Sequence, residues 1–286
     1  MFLQRATEGK TVMQTRNTSA QMAVMAIAGL LAVWTSCVDV AFAETVNCTA
    51  ITSLPYTISS PGSYCLTGNL ATAITTGSAI AINASNVVLD LNGFALTGFG
   101  AGLATEASGV YSVNRENITI RNGTIGGFYR GIFLDHNTST ARVPPRSQVV
   151  EDIRADRNRL YGIQAIGAGH IIRKNCIMET GGTPTPATGI YTFGQDSRVI
   201  DNDVILRPST NEPGIWDTGI LVVTAPFSNV YRQLVVNNRV GTLGIYQKGI
   251  EVIGAVIRGN LVYGVSGSAL SYTGAYLNAG GNYPLP

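Results

Sequence analysis

The chain has 286 residues, enough for one sizeable domain or two small ones, and only 13% of them are charged while 33 are glycine. Soluble proteins average about 25% charged residues and roughly 7% glycine, so this composition favours a β-rich fold with many tight turns. The formal net charge of +2 gives no electrostatic basis for binding nucleic acid or an anionic membrane surface, and we expect neither as a partner.

The first element along the chain is a predicted signal peptide over residues 1–43. Basic residues precede a continuous apolar run from Met22 to Trp34, and Ala41-Phe42-Ala43 matches the small-residue pattern of a cleavage site. The run is shorter than the about 20 residues that a membrane-spanning helix needs. We therefore expect a secreted or periplasmic protein without a transmembrane anchor, beginning at Glu44. A lipoprotein attached through Cys37 is the competing interpretation.

Residues 44–77 are predicted to form an N-terminal lead-in or cap. Cys48 and Cys65 flank a short segment of it, and in an oxidising compartment such a pair favours a disulfide worth about 3 kcal/mol. Cys176 is left over in this scheme. Its surroundings, HIIRKNCIM, are typical of a strand, so we expect it to point into the core as a small hydrophobic residue.

From residue 78 to residue 286 the chain repeats a strand–turn–strand unit. One landmark is a small residue followed by an aliphatic residue, at Ser78-Ala79-Ile80, Gly109-Val110, Gly131-Ile132, Gly162-Ile163, Gly189-Ile190, Gly219-Ile220, Gly249-Ile250 and Gly264-Val265. The other landmark is an apolar strand that ends in asparagine, at Asn92, Asn122, Asn158, Asn175, Asn202, Asn238 and Asn260. The landmark glycines from Gly109 to Gly249 follow one another at similar intervals along the sequence. The shortest interval is from Gly109 to Gly131, and the longest is from Gly131 to Gly162.

A unit of this length cannot bury its own apolar side chains, so stacked units must share one core. Strands at equivalent positions then pair in parallel, and asparagines at equivalent turns bond to one another between coils. An antiparallel β-sandwich would need hairpin turns about every 8–12 residues, and the constant order of the two landmarks argues against it. The repeat therefore predicts an all-β solenoid, a parallel β-helix of about eight coils.

The block AIAINASNVVLDLNGFALTG and the later GVYSVNRENITIRNGTIGGFYRGIFL resemble the opening coils of right-handed parallel β-helix repeat proteins of the pectin-lyase-like superfamily. The upstream ITSLPYTISSPGSYCLTGNL resembles the lead-in that covers the end of the helix in that family. The resemblance spans roughly Cys48 to Val265 and implies a single-stranded, right-handed helix. It does not imply one activity, since the superfamily includes polysaccharide lyases, hydrolases, epimerases and esterases as well as adhesins.

None of the catalytic motifs of these enzymes is complete in the sequence. Polygalacturonase-type enzymes use paired aspartates in Asn-Thr-Asp and Asp-Asp arrangements. Pectate-lyase-type enzymes use clustered Asp or Glu to hold Ca²⁺, and pectin-esterase-type enzymes use two Asp and a Gln on adjacent strands. Because no such set can be matched, we expect no metal site and no cofactor, and a Ca²⁺ requirement has no motif behind it.

The best candidate for chemistry lies in the third and fourth coils. Asp135 and His136 follow the strand GIFL and precede an insertion, NTSTARVPPRSQ, of the kind that often forms a binding loop. With Arg157 and Tyr161 from the next coil they resemble the acid/base sets of alginate-type lyases and epimerases, which makes these four the candidate catalytic residues. The competing interpretation is that Asp135 and His136 cap a turn and that the neighbouring Arg–Asp string is a solvated, ion-paired strand.

A second candidate feature is a column of aromatic side chains on the outer face. If the Gly-Ile landmarks are in register, Tyr111, Phe133 and Tyr191 share one position, with Phe193 and Asp135 two residues further along. Exposed rings along a solenoid can stack on sugars, because a ring offers a large apolar face. The four aromatic residues are therefore candidates for substrate binding, unless a loop covers them.

Two functional hypotheses remain open. In the first, the protein is a monomer that recognises an extracellular polysaccharide, acidic or neutral, with or without lyase- or epimerase-like activity. In the second, it is a non-catalytic surface or structural β-helix, adhesin-like or associated with the cell envelope.

Overall fold

A computed structural model describes residues 47–136, 147–182, 185–207, 216–224, 233–242, 247–264, 268–273 and 277–284. The predicted signal peptide, its cleavage site and Cys37 lie outside these residues, as does most of the insertion, residues 137–146. The described chain is all-β apart from one short 3₁₀ segment.

The strands are short and follow one another at tight turns, as expected for a glycine-rich chain with few charges. In chain order they are β1 Thr49–Ile51, β2 Tyr56–Ile58, β3 Gly62–Leu66, β4 Leu70–Ala71, β5 Ser78–Ile82, β6 Val87–Asp90, β7 Ala95–Thr97, β8 Ser108–Val113, β9 Ile118–Gly126, β10 Arg130–Asp135, β11 Val149–Asp156, β12 Tyr161–Ala168, β13 Ile171–Arg173, β14 Cys176–Thr180, β15 Thr188–Gln195, β16 Arg198–Ile200, β17 Asp203–Leu206, β18 Asp217–Thr224, β19 Gln233–Val236, β20 Arg239–Thr242, β21 Gln247–Ile253, β22 Ala255–Arg258, β23 Leu261–Tyr263, β24 Leu270–Thr273, β25 Leu277–Asn278 and β26 Tyr283–Pro284. The 3₁₀ segment, Phe99–Ala104, follows β7.

These strands form three parallel ladders in which each strand pairs with the equivalent strands before and after it along the chain. Ladder I runs β2-β5-β8-β10-β12-β15-β18-β21-β24. Ladder II runs from β1 through β3, β6, β9, β11, β13, β16, β19 and β22 to β25, and ladder III runs from β4 through β7, β9, β11, β14, β17, β20 and β23 to β26. The long strands β9 and β11 pair in both ladders and so join them into one sheet. This parallel stacking is that of a β-solenoid, and the lead-in contributes strands to all three ladders.

The Gly-Ile landmarks coincide along ladder I, as predicted. Ile80, Val110, Ile132, Ile163, Ile190, Ile220 and Ile250 occupy one row of paired positions. The predicted last member, Gly264-Val265, is wrong, because Leu270 pairs with Ile250. The constant glycine has a steric reason: a Cβ on Gly131 would lie 2.6 Å from the carbonyl oxygen of Gly162 in the next coil.

Strand alternation fills the interior with aliphatic side chains and turns the other side chains of each strand outward. In β10, Ile132 and Leu134 are buried while Phe133 and Asp135 are only partly so. The same alternation runs through β15, where Tyr191 is the partly exposed neighbour of the buried Ile190. Ladder I therefore has an outer face on which Phe133, Asp135 and Tyr191 lie.

Stacked asparagines stabilise one corner of the solenoid. Each side-chain amide donates to the Oδ1 of the next asparagine at 2.9–3.0 Å through Asn175, Asn202, Asn238, Asn260 and Asn282. Each Oδ1 from Asn202 onward also accepts the backbone N–H of the preceding asparagine. The predicted stacking is thus confirmed for four asparagines and extended by Asn282.

The earlier asparagines do not belong to this stack. Asn158 lies at another corner, where its side chain accepts from the backbone N–H of Phe128 and donates to the carbonyl oxygen of Ile125. Asn122 donates to a carboxylate oxygen of Asp90. Bonding between asparagines of successive coils is therefore found for Asn175 and the later landmark asparagines but not for Asn122 and Asn158.

The predicted disulfide between Cys48 and Cys65 is confirmed. It links β3 to the residue just before β1, which pairs with β3 in parallel. Cys176 is only partly buried, so the expectation that it points into the core as a small hydrophobic residue is wrong. In the part of the chain that the structure describes, no helix is long and apolar enough to span a membrane.

Candidate functional site

One row of outward side chains runs along ladder I through Tyr111, Phe133, Gln164, Tyr191 and Leu221. The rings of Tyr111 and Phe133 lie 5.3 Å apart between centroids and are tilted by 41°. Gln164 interrupts the aromatic residues in the coil between Phe133 and Tyr191. The three predicted aromatic residues therefore share a row, but only two of them are neighbours in it.

A tyrosine and an arginine from the start of neighbouring strands fill out this face. Tyr161 stacks on Tyr191 with ring centroids 5.7 Å apart and planes 24° from parallel. Arg130, paired with Tyr161 across the ladder, places its guanidinium 4.8 Å above the ring of Phe133, within cation–π distance. We call Tyr111, Phe133, Arg130, Tyr161 and Tyr191 the aromatic row.

The aromatic row is packed against itself and against the ladder beneath it. Burial raises the pKa of Tyr161 and the pKa of Tyr191 above the ordinary tyrosine value. Gln164, between Phe133 and Tyr191 in the register, is only 7% exposed, and its Oε1 has no hydrogen-bond partner among the described residues. The row is therefore a half-buried surface and not a set of freely projecting rings.

A cavity of about 420 Å³ lies at the carboxyl ends of the ladder I strands. Its lining residues are Val113, Asn114, Asp135, His136, Ile166, Tyr191 and Phe193. Register explains why they meet: Val113 pairs with Asp135, and Ile166 pairs with Phe193. The cavity thus combines aliphatic and aromatic walls with an amide, an imidazole and a carboxyl group.

Asp135 is the carboxyl group of this cavity. Its partial burial raises its pKa, an effect that the charges of His136 and Arg130 and the backbone N–H of His136 partly offset. It forms no ion pair with any described residue, whereas Asp90, Glu151 and Asp203 each pair with an arginine from a neighbouring coil. Asp135 therefore faces the cavity without an arginine or lysine paired to it in the described chain.

His136 is only 6% exposed, and its Nδ1 lies 2.9 Å from Oδ1 of Asn114 in the preceding coil. Because that oxygen is an acceptor, Nδ1 carries the proton and donates it. The second histidine of the chain, His170, lies close by and is 1% exposed. Burial lowers the pKa of His170 to about 4, an effect that the backbone at Ile166 partly offsets and that the charge of His136 adds to.

The two remaining candidate catalytic residues lie elsewhere. Arg157 follows β11, approaches Asp156 at 3.4 Å and places its guanidinium 4.5 Å above the ring of Phe99. Tyr161 pairs with Arg130, which precedes Asp135 by five residues, or about 16 Å along a strand. The structure therefore brings Asp135 and His136 together at the cavity, whereas Arg157 and Tyr161 are not among its lining residues.

The ion pairs around Arg157 agree with the alternative interpretation of the Arg–Asp string. Arg154 and Arg157 both approach Asp156, at 3.7 and 3.4 Å, and both are well exposed. Exposed pairs of this kind contribute little to stability.

Four residues of the site were not singled out from the sequence. Val113 and Asn114 could have been found, because the step that takes Gly109 to Gly131 also takes them to Asp135 and His136. Ile166 carries no chemical signal, since it resembles any other aliphatic strand residue. Arg130 stands directly before a landmark glycine, but nothing in the sequence indicates that its side chain lies over Phe133.

Among the described residues, no group of three or more His, Cys, Asp or Glu side chains is arranged to hold a metal ion. Comparison with protein-family models finds no family that matches the chain, and no curated protein and no solved structure matches it.

Proposed function

We propose that this chain is a secreted, right-handed β-helix of about eight coils that binds an extracellular polysaccharide on the outer face of ladder I. The observation that carries the proposal is the cavity at Asp135 and His136, which has Tyr191 and Phe193 in its walls. The Cys48–Cys65 disulfide supports an oxidising compartment.

The lining suits a sugar because a pyranose ring has apolar faces and a polar rim. Tyr191 and Phe193 offer apolar surface for the faces. Asn114, Asp135 and His136 offer hydrogen-bonding groups for the hydroxyls, and convergent polar groups of this kind fix the orientation of a ligand in its site. A volume of about 420 Å³ falls within the usual range for such pockets.

Lyase- or epimerase-like chemistry is an extension of this proposal. A carboxyl group whose pKa is raised by burial and an imidazole in the same cavity are suited to exchange protons with a bound sugar. In this form of the proposal Asp135 and His136 act on the sugar, and Arg157 and Tyr161 take no part because neither lines the cavity.

The binding proposal is tested by titrating the mature protein with neutral and acidic oligosaccharides in a calorimeter. We expect Tyr191→Ala and Phe193→Ala each to weaken binding roughly tenfold, because each removes a stacking surface of about 1 kcal/mol or more. Phe99→Ala and Tyr263→Ala are matched controls, since both rings are partly exposed away from the cavity. Equal losses in the control variants would contradict a site in the cavity.

The catalytic extension is tested with a panel of uronate polysaccharides, following unsaturated products by absorbance. We expect His136→Ala to abolish any product formation while Arg157→Ala leaves it intact. Binding without product from the whole panel would leave a carbohydrate-binding protein and remove the lyase.

One observation favours the second candidate function, a non-catalytic structural β-helix. The aromatic row packs ring against ring and guanidinium against ring, so its side chains already have partners. On this alternative the row stabilises the coils. Tyr191→Ala would then lower the unfolding temperature, and no saccharide would raise it.

A further inference from the structure

The cavity has an electrostatic character that distinguishes between classes of sugar. Among the described residues that line it, Asp135 is the only carboxyl group, and none is a lysine or an arginine. A sugar that carries a carboxylate would place its negative charge beside Asp135, and among the described lining residues only His136, whose Nδ1 already donates to Asn114, could carry a positive charge to receive it. Two carboxylates inside one cavity repel each other, and they do so more strongly in a partly buried cavity than in water.

Arg130, whose charge acts on Asp135, does not change this. Arg130 acts on Asp135 through its charge but forms no ion pair with it in the described chain. Its guanidinium lies 4.8 Å from the ring centroid of Phe133 and 5.0 Å from that of Tyr129. It therefore belongs to the aromatic row and lies outside the cavity lining.

A protonated amine fits the same surroundings. The carboxylate of Asp135 offers it a counter-ion, and the faces of Tyr191 and Phe193 attract a cation through their quadrupoles. A charge-assisted hydrogen bond from an ammonium to a carboxylate is about twice as strong as a neutral one.

We infer that the cavity takes a sugar unit with a free amino group, such as a deacetylated hexosamine, with Asp135 as its counter-ion and Tyr191 and Phe193 as its stacking surface. This inference rests on the proposed polysaccharide binding and specifies the chemical class of the bound unit. The formal net charge of the chain is +2, so the attraction for an amine is local to the cavity and opposes the overall charge.

The experiment compares three β-1,4- or α-1,4-linked probes of equal length by calorimetry at neutral pH. They are an oligomer of glucosamine, its fully N-acetylated counterpart and an oligogalacturonate. We expect the glucosamine oligomer to bind roughly tenfold more tightly than the acetylated one, since acetylation removes the charge but keeps the ring. Added salt should reduce this ratio, because it screens a partly exposed ion pair.

Asp135→Asn should reduce the ratio between the glucosamine and acetylated probes to about twofold or less, because it removes the charge and keeps the shape of the side chain. Asp201→Asn is the matched control. Asp201 is exposed in a turn of the ladder II/III corner, with a positive φ that asparagine tolerates. The control should leave the ratio unchanged.

The outcomes separate the inference from the proposal beneath it. Binding of the acetylated or the galacturonate probe at least as tight as that of the amine would overturn the inference and leave polysaccharide binding in place. An equal loss of preference in Asp201→Asn would overturn the role of Asp135. Binding of none of the three probes would remove the inference and the proposed function together.

Discussion

His170 is the residue whose burial has the clearest energetic consequence. Its ring is 1% exposed, and neither of its nitrogens makes a hydrogen bond of good geometry among the described residues. A Cβ on Gly167 would lie 2.8 Å from its Nε2 and 3.4 Å from Cβ of His136. The two histidines are thus packed against one glycine at the wall of the cavity, where a proton on His170 would be poorly solvated.

The burial of His170 predicts a loss of stability in acid. The pKa of His170 falls from its ordinary value of 6.5 to about 4 on folding, so the unfolded chain takes up this proton first. Stability from this group is therefore complete above about pH 6.5 and decreases as the pH falls towards 4, by about 3 kcal/mol in all. Denaturant unfolding at pH 7 and at pH 4 measures this loss of stability.

His170→Asn separates this contribution from that of the carboxylates. The variant should lose less stability than the unaltered protein between pH 7 and pH 4, because asparagine takes up no proton. An identical loss in both proteins would show that His170 titrates normally and is not buried as described.

At the scale of strands and turns, the sequence predicts the repeat and the row of landmark glycines. It does not predict where along its strand a particular side chain lies. The landmark glycines identify ladder I because a Cβ would meet the neighbouring coil, as at Gly131. Arg157 and Tyr161 were grouped with Asp135 because they belong to the adjacent coil. Two residues in adjacent coils are neighbours only if they also occupy the same position along their strands, and that position depends on the length of each turn. Tyr161 is therefore paired with Arg130, at the start of its strand, and not with Asp135, at the end of the same strand.

The same limit explains the asparagines. Asn158 and Asn175 both end apolar strands, and no local pattern tells which corner each one occupies. Asn158 bonds to Phe128 and Ile125, whereas Asn175 bonds to Asn202. The corner is decided by β11, a strand long enough to pair in ladders II and III without an interruption.

The close approach of coils at Gly131 predicts a steric cost. In Gly131→Ala the new Cβ would lie 2.6 Å from the carbonyl oxygen of Gly162 and 2.7 Å from Nδ2 of Asn158. We expect a loss of about 2 kcal/mol in the free energy of unfolding, as for other overpacked sites. Gly68→Ala is the control, since its Cβ would meet no atom within 4 Å. Comparable losses in the two variants would contradict the steric explanation.

The asparagine stack predicts a cost for removing one of its members. Asn202→Ala would leave the buried backbone N–H of Asn175 and the carbonyl oxygen of Ile172 without their partner. Each unsatisfied group costs about 1–3 kcal/mol, so the variant should be destabilised by several kcal/mol in denaturant unfolding.

Asn83→Ala provides the comparison for the stack. Asn83 is exposed, and its backbone N–H bonds to Ile58 without help from the side chain. This variant should unfold within about 0.5 kcal/mol of the unaltered protein. A small effect in Asn202→Ala as well would show that the stack contributes little.

At the scale of the whole molecule, stability is distributed coil by coil. Each strand pairs only with its equivalents in adjacent coils, so the energy of the solenoid is close to a sum of coil energies and nearest-neighbour interfaces. A change at one end is therefore felt locally, in contrast to a domain whose core is shared by all its elements.

The Cys48–Cys65 disulfide provides the test of this local behaviour. Replacing both cysteines with serine removes a restraint worth about 3 kcal/mol at the first coil. We expect faster amide hydrogen exchange in β1 and β3, while β19 and β22 keep their protection, because they lie several coils away. Uniformly faster exchange along the chain would indicate a single cooperative unit instead.

Equal spacing of the later coils has an evolutionary consequence. Ile190, Ile220 and Ile250 are paired in one row, and the step from the first to the second equals the step from the second to the third. If a segment as long as one of these intervals is deleted or duplicated in this region, the strand before the change is followed by the equivalent part of another coil. Every remaining side chain therefore keeps its inward or outward orientation. An insertion of one residue within a strand reverses inside and outside for the rest of that strand. Such a gene can change length by whole coils, and with it the extent of the outer face of ladder I, far more readily than by single residues.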